Sequence, residues 1–478
     1  MIHLNEFQHI IPLLIISGAA VITLLLEMIF KKSENIILGF SIVSVVAAII
    51  ISFTYLNKEL IIFNEFLRIN NSSIVFSVII LIGIMITLFA SKAYLEKEEI
   101  NFGEYYSLLL FAVTGMLLMV FANDLLIIFI GLELMSICFY VLAGFLRNRV
   151  KSNESAMKYF LLGAFMTGFL LYGIALIYGA TGTTNITRIL ANPKVFSSTI
   201  FMVGMGLFLI GFFFKMGIFP FHMWIPDVYD GAPTVVSGMM STAGKIAAVG
   251  TIVPLILYFN LIDFRLLFAI AAVVTMLFGN IIALAQTNIK RLLAYSSIAS
   301  AGYVMVGVAS LNDFALKGIT YYLIAYTFMQ LGAFIVVSII ESSSDDKKDF
   351  KFINLADYKG LAKRNLLLAT FLSVFLFSLA GIPPFAGFWG KYYLFYAAIK
   401  ANLVWLAVIG ILLSVVSVYY YIRVIVYMWF QDAPDELLNE KVIVSPLGAA
   451  AVWVAIVGTL VFGVYPQLFF TMFKFVIN

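Results

Sequence analysis

Residues 204–244 read GMGLFLIGFFFKMGIFPFHMWIPDVYDGAPTVVSGMMSTAG, and Lys245 follows directly. The stretch begins as an apolar helix carrying Lys215, breaks at Pro220, and passes through a half-polar segment to Pro233. It then resumes as a second apolar helix bearing Lys245. A second break, GIPPFAGFWGK at 381–391, contains Pro383 and Pro384 and ends in Lys391. Charged side chains inside apolar runs are costly, and a passive anchor has no use for them. Paired Gly/Pro-interrupted hydrophobic segments in the two halves of a chain point to an ion path built at broken helices.

Working outward, the 478-residue chain is 63% hydrophobic and only 11% charged. Soluble domains carry about a quarter charged residues, so the predicted class is an all-α polytopic membrane protein. Runs long enough to span a bilayer recur throughout. They predict fourteen spans, near 9–30, 36–56, 73–92, 104–121, 125–146, 156–179, 197–219, 234–258, 265–286, 291–310, 315–340, 363–381 continuing as 386–399, 402–428 and 443–464. The loops of one side hold roughly twice the Lys and Arg of the other, which predicts that side as cytoplasmic and both termini as outside. Lys290 and Arg291 count as anchors on the basic side. MIHLNEFQHI at the start lacks a basic n-region, so the first span reads as retained rather than cleaved. Spans 4–8 and 9–13 each contain five helices; an odd number inverts the second set relative to the first. The expected divisions are a three-helix segment (1–103), two inverted repeats (104–258 and 265–430) and a C-terminal helix (443–478). The one long polar insert, 341–364, reads as a solvated connector or as a docking surface for a partner.

One cysteine (Cys138) and three scattered histidines exclude a disulfide framework, a haem pair and a Cys-ligated cluster. No cofactor or metal site is expected within the chain, and no nucleic-acid partner. The chemistry therefore falls to buried charges. Glu133 is the sole carboxylate in the middle of a span, on a face shared with Ser136, Tyr140 and Gly144. Together with Lys215, Lys245 and Lys391 its insertion cost is about 10 kcal/mol or more, at roughly 2.5–3.5 kcal/mol per central charge. A structural salt bridge accounts for one acid with one lysine, not with three. Lysine suits proton transfer because burial brings its titration toward neutrality, and a carboxylate nearby opposes that shift. Glu133 and Lys215 are accordingly expected to meet as a coupled pair.

Hydroxyl stripes flank these charges: Thr234, Ser237, Ser241 and Thr242 ahead of Lys245; Tyr322, Tyr326 and Gln330; Ser296, Ser300 and Tyr303. Such stripes relay protons through water, or simply join helices by hydrogen bonds. Lys158 pairs with Glu154 at i+4 and His222 follows the break; both rank as secondary candidates. Backbone opened at the two breaks is expected to face a hydrated interior rather than lipid.

NRVKSNESAMKYFLLGAF from Asn148, FKMGIFPFHMWIPDVYDGAPT, KRLLAYSSI and GIPPFAGFWGK together resemble the subunit N family of bacterial NADH:quinone oxidoreductase (respiratory complex I). The broken-helix motifs alone are shared with its sister antiporter-like subunits and with Mrp-type cation/proton antiporters. A lysine at 391 favours subunit N, because the sister subunit M has glutamate there. The resemblance implies one proton-translocating unit of the membrane arm in the bacterial inner membrane, beside sister antiporter-like and small membrane subunits. FMN, iron–sulfur clusters, NADH and quinone would sit on partner subunits. It implies an acid–lysine switch for Glu133 and Lys215, a central relay for Lys245 and an outward-leading lysine in Lys391. Where many relatives have a histidine this chain has Ser300. A Na⁺/H⁺ antiporter subunit and a non-pumping scaffold subunit stand as alternatives.

Overall fold

The computed structural model describes residues 4–30, 33–259, 261–342, 352–433 and 442–472. In hydrocarbon every backbone N–H and C=O must be satisfied within the segment, so apolar runs become helices. They are α1 (Ile11–Ile29), α2 (Glu34–Phe53), α3 (Asn71–Lys97), α4 (Gly103–Phe121), α5 (Leu125–Ala143), α6 (Val150–Thr181), α7 (Thr199–Met216) and α8 (Trp224–Gly231). There follow α9 (Thr234–Tyr258), α10 (Arg265–Leu284), α11 (Ile289–Ser310), α12 (Asp313–Ser342), α13 (Leu366–Ala380), α14 (Ala386–Lys400), α15 (Val404–Phe430) and α16 (Pro446–Val464). Thirteen helices among the described residues are long and apolar enough to cross a membrane. The twelfth expected span, read as 363–381 continuing as 386–399, is formed by two shorter pieces, α13 and α14. A small hairpin, β1 (Leu60–Ile62) with β2 (Leu67–Ile69), covers the α2–α3 connection.

Helices α3, α9, α11 and α12 are buried along most of their length and form the centre. Helices α1, α2, α6 and α15 turn apolar residues such as Ile36, Val43, Phe165, Tyr172, Leu412 and Val415 outward, the surface a bilayer or neighbouring subunits would cover. Helices α4 and α5 cross at bare backbone. A Cβ on Gly115 would lie 2.5 Å from the Gly131 carbonyl oxygen, and one on Gly131 would lie 2.7 Å from that of Gly115. Small residues let membrane helices approach this closely, and the crossing fixes α5 two residues before Glu133. Gly131→Ala is expected to force the two helices apart and lower stability by about 1–3 kcal/mol. Thermal aggregation of the detergent-solubilised protein checks it; a melting curve matching wild type would show that the crossing gives way without strain.

The two breaks are built alike. Helix α7 ends where Gly217 takes φ 78°, with Gly217 N–H donating to the Phe214 carbonyl (3.2 Å) and Ile218 N–H to that of Phe213 (2.8 Å). Helix α13 ends where Gly381 takes φ 85°, with N–H bonds from Gly381 to Ser378 (3.0 Å) and Ile382 to Phe377 (3.1 Å). Both are left-handed glycine stops of Schellman type, which satisfy the last carbonyls of each half-helix. Pro220, Pro383 and Pro384 follow. These prolines stand exposed on the outside of the chain. Proline has no N–H, so such corners offer lipid or a partner fewer unsatisfied donors. What turns inward is the carbonyl end of the preceding half-helix.

Three further readings need correction. Lys290 is not an interfacial anchor: it is wholly buried, and its Nζ donates to the Ala232 carbonyl at 2.8 Å. Glu341 does not open a solvated loop, because α12 continues through it and buries it. The described part of that insert is also tied down: Ile289 N–H donates to Ile353 and Leu355 N–H to Thr287, both at 2.7 Å, while Tyr358 and Leu361 pack inside. Residues 343–351 lie outside the described residues, as do both extreme termini.

Candidate functional site: a buried line of lysines

Lys215, Lys245 and Lys391 are 6%, 2% and 5% exposed, which places all three inside the protein. Lys215 occupies the last turn of α7, an end favourable to cations because the helix dipole places partial negative charge there. Its Nζ sits over the rings of Tyr159 (5.1 Å), Tyr140 (5.4 Å) and Phe214 (5.4 Å). Aromatic faces attract an ammonium by about 2 kcal/mol or more when desolvated. Trp224, the first residue of α8, completes this box from behind. It stacks on Tyr159 at 4.3 Å and donates from Nε1 to the Phe214 carbonyl at 3.0 Å. The break thus folds the chain back to hold the lysine's surroundings.

Glu133 acts on Lys215 electrostatically, yet neither Lys215 Nζ nor Glu133 Oε1 has a hydrogen-bond partner. The two are neighbours without direct contact. Tyr140 lies between their environments: it is two turns from Glu133 on α5, its ring faces Lys215, and its hydroxyl is unpaired. Buried polar atoms in native structures find a protein or water partner, so this cluster suits a water-mediated pair.

Lys245 follows a π-helical turn, Met240–Gly244, which widens α9 by one residue. Such turns recur at functional sites. Its Nζ donates to the carbonyl and to the hydroxyl of Ser297, both at 2.6 Å, and lies 5.7 Å from the Tyr326 ring. Lys391 reaches back across the second break and donates to the carbonyls of Leu379 (2.9 Å) and Ala380 (3.0 Å) and to Ser414 Oγ (2.9 Å). It therefore caps the C-terminal end of α13, again an electrostatically favourable seat for an ammonium.

Tyr326 turns its hydroxyl toward Ser297 and Tyr322 toward Ser300, but both hydroxyls and Gln330 Oε1 lack a hydrogen bond. These stripe residues line the region between Lys245 and Lys391. The stripe ahead of Lys245 behaves differently. Ser241 and Thr242 bond back to the Gly238 carbonyl of their own helix at 2.8 and 2.9 Å, and Ser237 to Tyr229 at 2.9 Å.

Sequence reasoning missed a second polar line. Ser296 bonds Tyr421 (2.5 Å), Tyr421 packs on Tyr420, and Tyr420 donates to Asn280 (3.0 Å). Asn280 donates to Tyr303 (3.4 Å), whose hydroxyl is near Ser414, the partner of Lys391. Only a helix packing not legible in one sequence brings α10 and α15 to this axis.

The secondary candidates lie elsewhere. Lys158 pairs with Glu154 (2.6 Å) and also with Asp227 (2.8 Å), which Arg291 shares (2.7 Å), in a partly exposed cluster. His222 is buried against Phe219 at 5.5 Å with Nδ1 unpaired. Among the described residues no three His, Cys, Asp or Glu side chains converge as a metal site.

A polytopic bundle with two broken helices and lysines buried at them defines an antiporter-like membrane subunit. Residues 122–417 match the family described as "NADH:quinone oxidoreductase/Mrp antiporter, TM". NADH-quinone oxidoreductase subunit N of Trichlorobacter lovleyi is 44% identical over 96% of this chain and 94% of its own length. F(420)H(2) dehydrogenase subunit N of Methanosarcina mazei is 39% identical over 98% and 97%. A chain of the Thermus thermophilus respiratory complex I solved with bound Aureothin superposes at TM-score 0.82, with 30% identity over 96% of this chain and 98% of that one. A chain of the Mrp complex from Dietzia sp. shares the fold at TM-score 0.82 and 20% identity, covering 97% and 96%. The chain belongs to the subunit N family of NADH-quinone oxidoreductases.

Proposed function

We propose that this chain is an antiporter-like, proton-translocating subunit in the membrane arm of a bacterial inner-membrane NADH:quinone oxidoreductase. It works beside sister antiporter-like and small membrane subunits. Electron transfer belongs to partner subunits carrying FMN, iron–sulfur clusters and the NADH and quinone sites, so this chain is part of an enzyme without being its redox centre. The observation that carries the reading is the set of three buried lysines, each at or beside a helix irregularity. The 44%-identical relative supports the respiratory assembly over a free-standing Mrp-type Na⁺/H⁺ antiporter.

In this reading residues 104–258 and 265–430 are two five-span units, each contributing one break. Glu133 moves relative to Lys215 and switches it between holding and releasing a proton. Lys245 relays that proton through Ser297 and the tyrosines. Lys391, on the carbonyl end of α13, passes it toward the side poor in basic loops. Each transfer against a 100 mV potential requires about 2.3 kcal/mol per charge, within what one carboxylate moving a few ångströms supplies.

Affinity purification of the tagged chain from native membranes is expected to recover flavin- and iron–sulfur-containing partners with NADH oxidation coupled to proton uptake into vesicles. Recovery of the chain without redox partners, with Na⁺-dependent proton exchange, would instead establish the antiporter reading.

A further inference from the structure

Glu341 has no part in the line of lysines, yet it is a carboxylate buried near one end of α12. It is 5% exposed, its Oε2 accepts a hydrogen bond from Thr234 Oγ1, and its Oε1 has no partner. A carboxyl group can occupy such a place only if its charge is balanced or if it carries a proton. Lys290, Arg149, Glu98, Tyr94 and Tyr358 all lie close enough to act on it electrostatically or to be acted on by it. The charges around it, two basic and one acidic, leave a net positive charge that a carboxylate would balance, whereas a buried charge is costly in itself, so the two effects oppose each other.

What surrounds Glu341 is arranged in depth. A cavity of about 320 Å³ opens on the side rich in basic loops, its lining mixing Ile100 and Leu146 with charged groups that include Glu98, Arg147 and Arg149. At its inner end Arg149 donates to Glu98 at 2.5 Å, both side chains being nearly enclosed. One helical turn deeper on α3, Tyr94 is fully buried, and its hydroxyl accepts from Thr234 N–H at 3.4 Å. Thr234 holds Glu341. Tyr358, whose hydroxyl is also unpaired, stands beside it. Thr234 starts α9 and Lys245 lies eleven residues along it, about 16 Å at 1.5 Å per residue. Within that interval Ser237 bonds the carbonyl of Tyr229, a residue of α8 whose hydroxyl faces Ser297, the partner of Lys245.

We propose that Glu341 is a proton-carrying residue that loads the central relay, receiving protons from the cavity at Glu98 and Arg149 and delivering them past Thr234 and Tyr229 to Lys245. This rests on the reading of the chain as a proton-translocating subunit. It gives Lys245 a supply of its own from the basic-loop side, separate from the Glu133–Lys215 pair. The unpaired Oε1 is the proton-accepting atom, and Thr234 fixes the other oxygen so that the carboxyl group keeps one orientation in both protonation states. No bond other than O–H and N–H forms or breaks on this route.

The test uses the assembled complex in vesicles, with protons taken up per NADH oxidised as readout. Glu341→Gln keeps size and the Thr234 hydrogen bond but cannot carry a proton. It is expected to lose as much pumping as Lys245→Ala while NADH oxidation persists. Glu341→Gln combined with Lys290→Met removes both charges; recovery of pumping in the double variant would show that Glu341 only balances Lys290, and would overturn the proposal. Full pumping by Glu341→Gln beside impaired Lys245→Ala would overturn it too, leaving the translocating reading intact. Full pumping by Lys245→Ala would overturn the translocating reading itself. Should Glu341→Gln fail to assemble, Tyr94→Phe decides: it removes only the hydroxyl between the cavity and Thr234, a severalfold loss is expected, and unimpaired pumping would overturn the route.

Discussion

Complexes carrying Lys245→Ala are expected to assemble, oxidise NADH, and lose the pumping that depends on this chain. Lys245 spends its ammonium on two oxygens of one residue, the carbonyl and hydroxyl of Ser297. Alanine leaves those acceptors short of a donor, at about 1–3 kcal/mol. It also removes a buried charge whose insertion costs about the same, so stability changes little. Lys245→Arg is the sharper variant. Guanidinium stays protonated at any accessible pH, so it keeps the charge and the hydrogen bonds but cannot release a proton. Pumping is expected to fail there as well. Proton uptake driven by NADH in vesicles decides it: normal pumping by the arginine variant would mean that Lys245 acts as a fixed charge and not as a relay.

Much of this was legible because a bilayer leaves few options. Apolar runs must be helices, and a lysine inside one must face protein or water. Hence the spans and the burial of Lys215, Lys245 and Lys391 follow from composition and spacing. What spacing could not give is which neighbours those lysines meet. A hydroxyl stripe running from Thr234 to Lys245 assumes a regular α-helix, and the π turn at Met240–Gly244 displaces the face. Ser241 and Thr242 then serve their own helix, while the contact passes to Ser297 on α11, one residue from the stripe through Ser296 and Ser300. In the same way Ser414, Asn280, Tyr420 and Tyr421 sit on helices with no buried charge to draw attention. Glu341 was misread for a different reason. Its neighbours in sequence are polar, and only tertiary packing against Thr234 shows that α12 carries it inside. Lys290 was misread likewise, as a helix-end lysine whose partner, the Ala232 carbonyl, is remote in sequence.

Glu133→Gln is expected to impair pumping severely without unfolding the protein, and Lys215→Ala to do the same. The geometry explains why the acid acts at a distance. Lys215 is held by three aromatic rings and the end of α7, with no oxygen bonded to its Nζ. Its charge is therefore tolerated without being fixed by a salt bridge. A carboxylate and an ammonium attract by about 4 kcal/mol at roughly 4 Å in a medium of effective dielectric about 20, and by half that at twice the distance. A shift of Glu133 by a few ångströms thus alters the balance between ammonium and amine by about tenfold or more, since each factor of ten corresponds to about 1.4 kcal/mol. A direct salt bridge would hold the proton too firmly for such a switch. Glutamine removes the switching charge but retains the shape, so the lysine stays in one state and the cycle stalls. Tyr140→Phe, which keeps the ring beneath the lysine and removes its unpaired hydroxyl, is expected to slow the cycle rather than stop it. Proton uptake per NADH oxidised, measured with equal amounts of assembled complex, ranks the three. Unchanged flux in Glu133→Gln would show that Lys215 switches without this carboxylate, and that the aromatic box alone sets its behaviour.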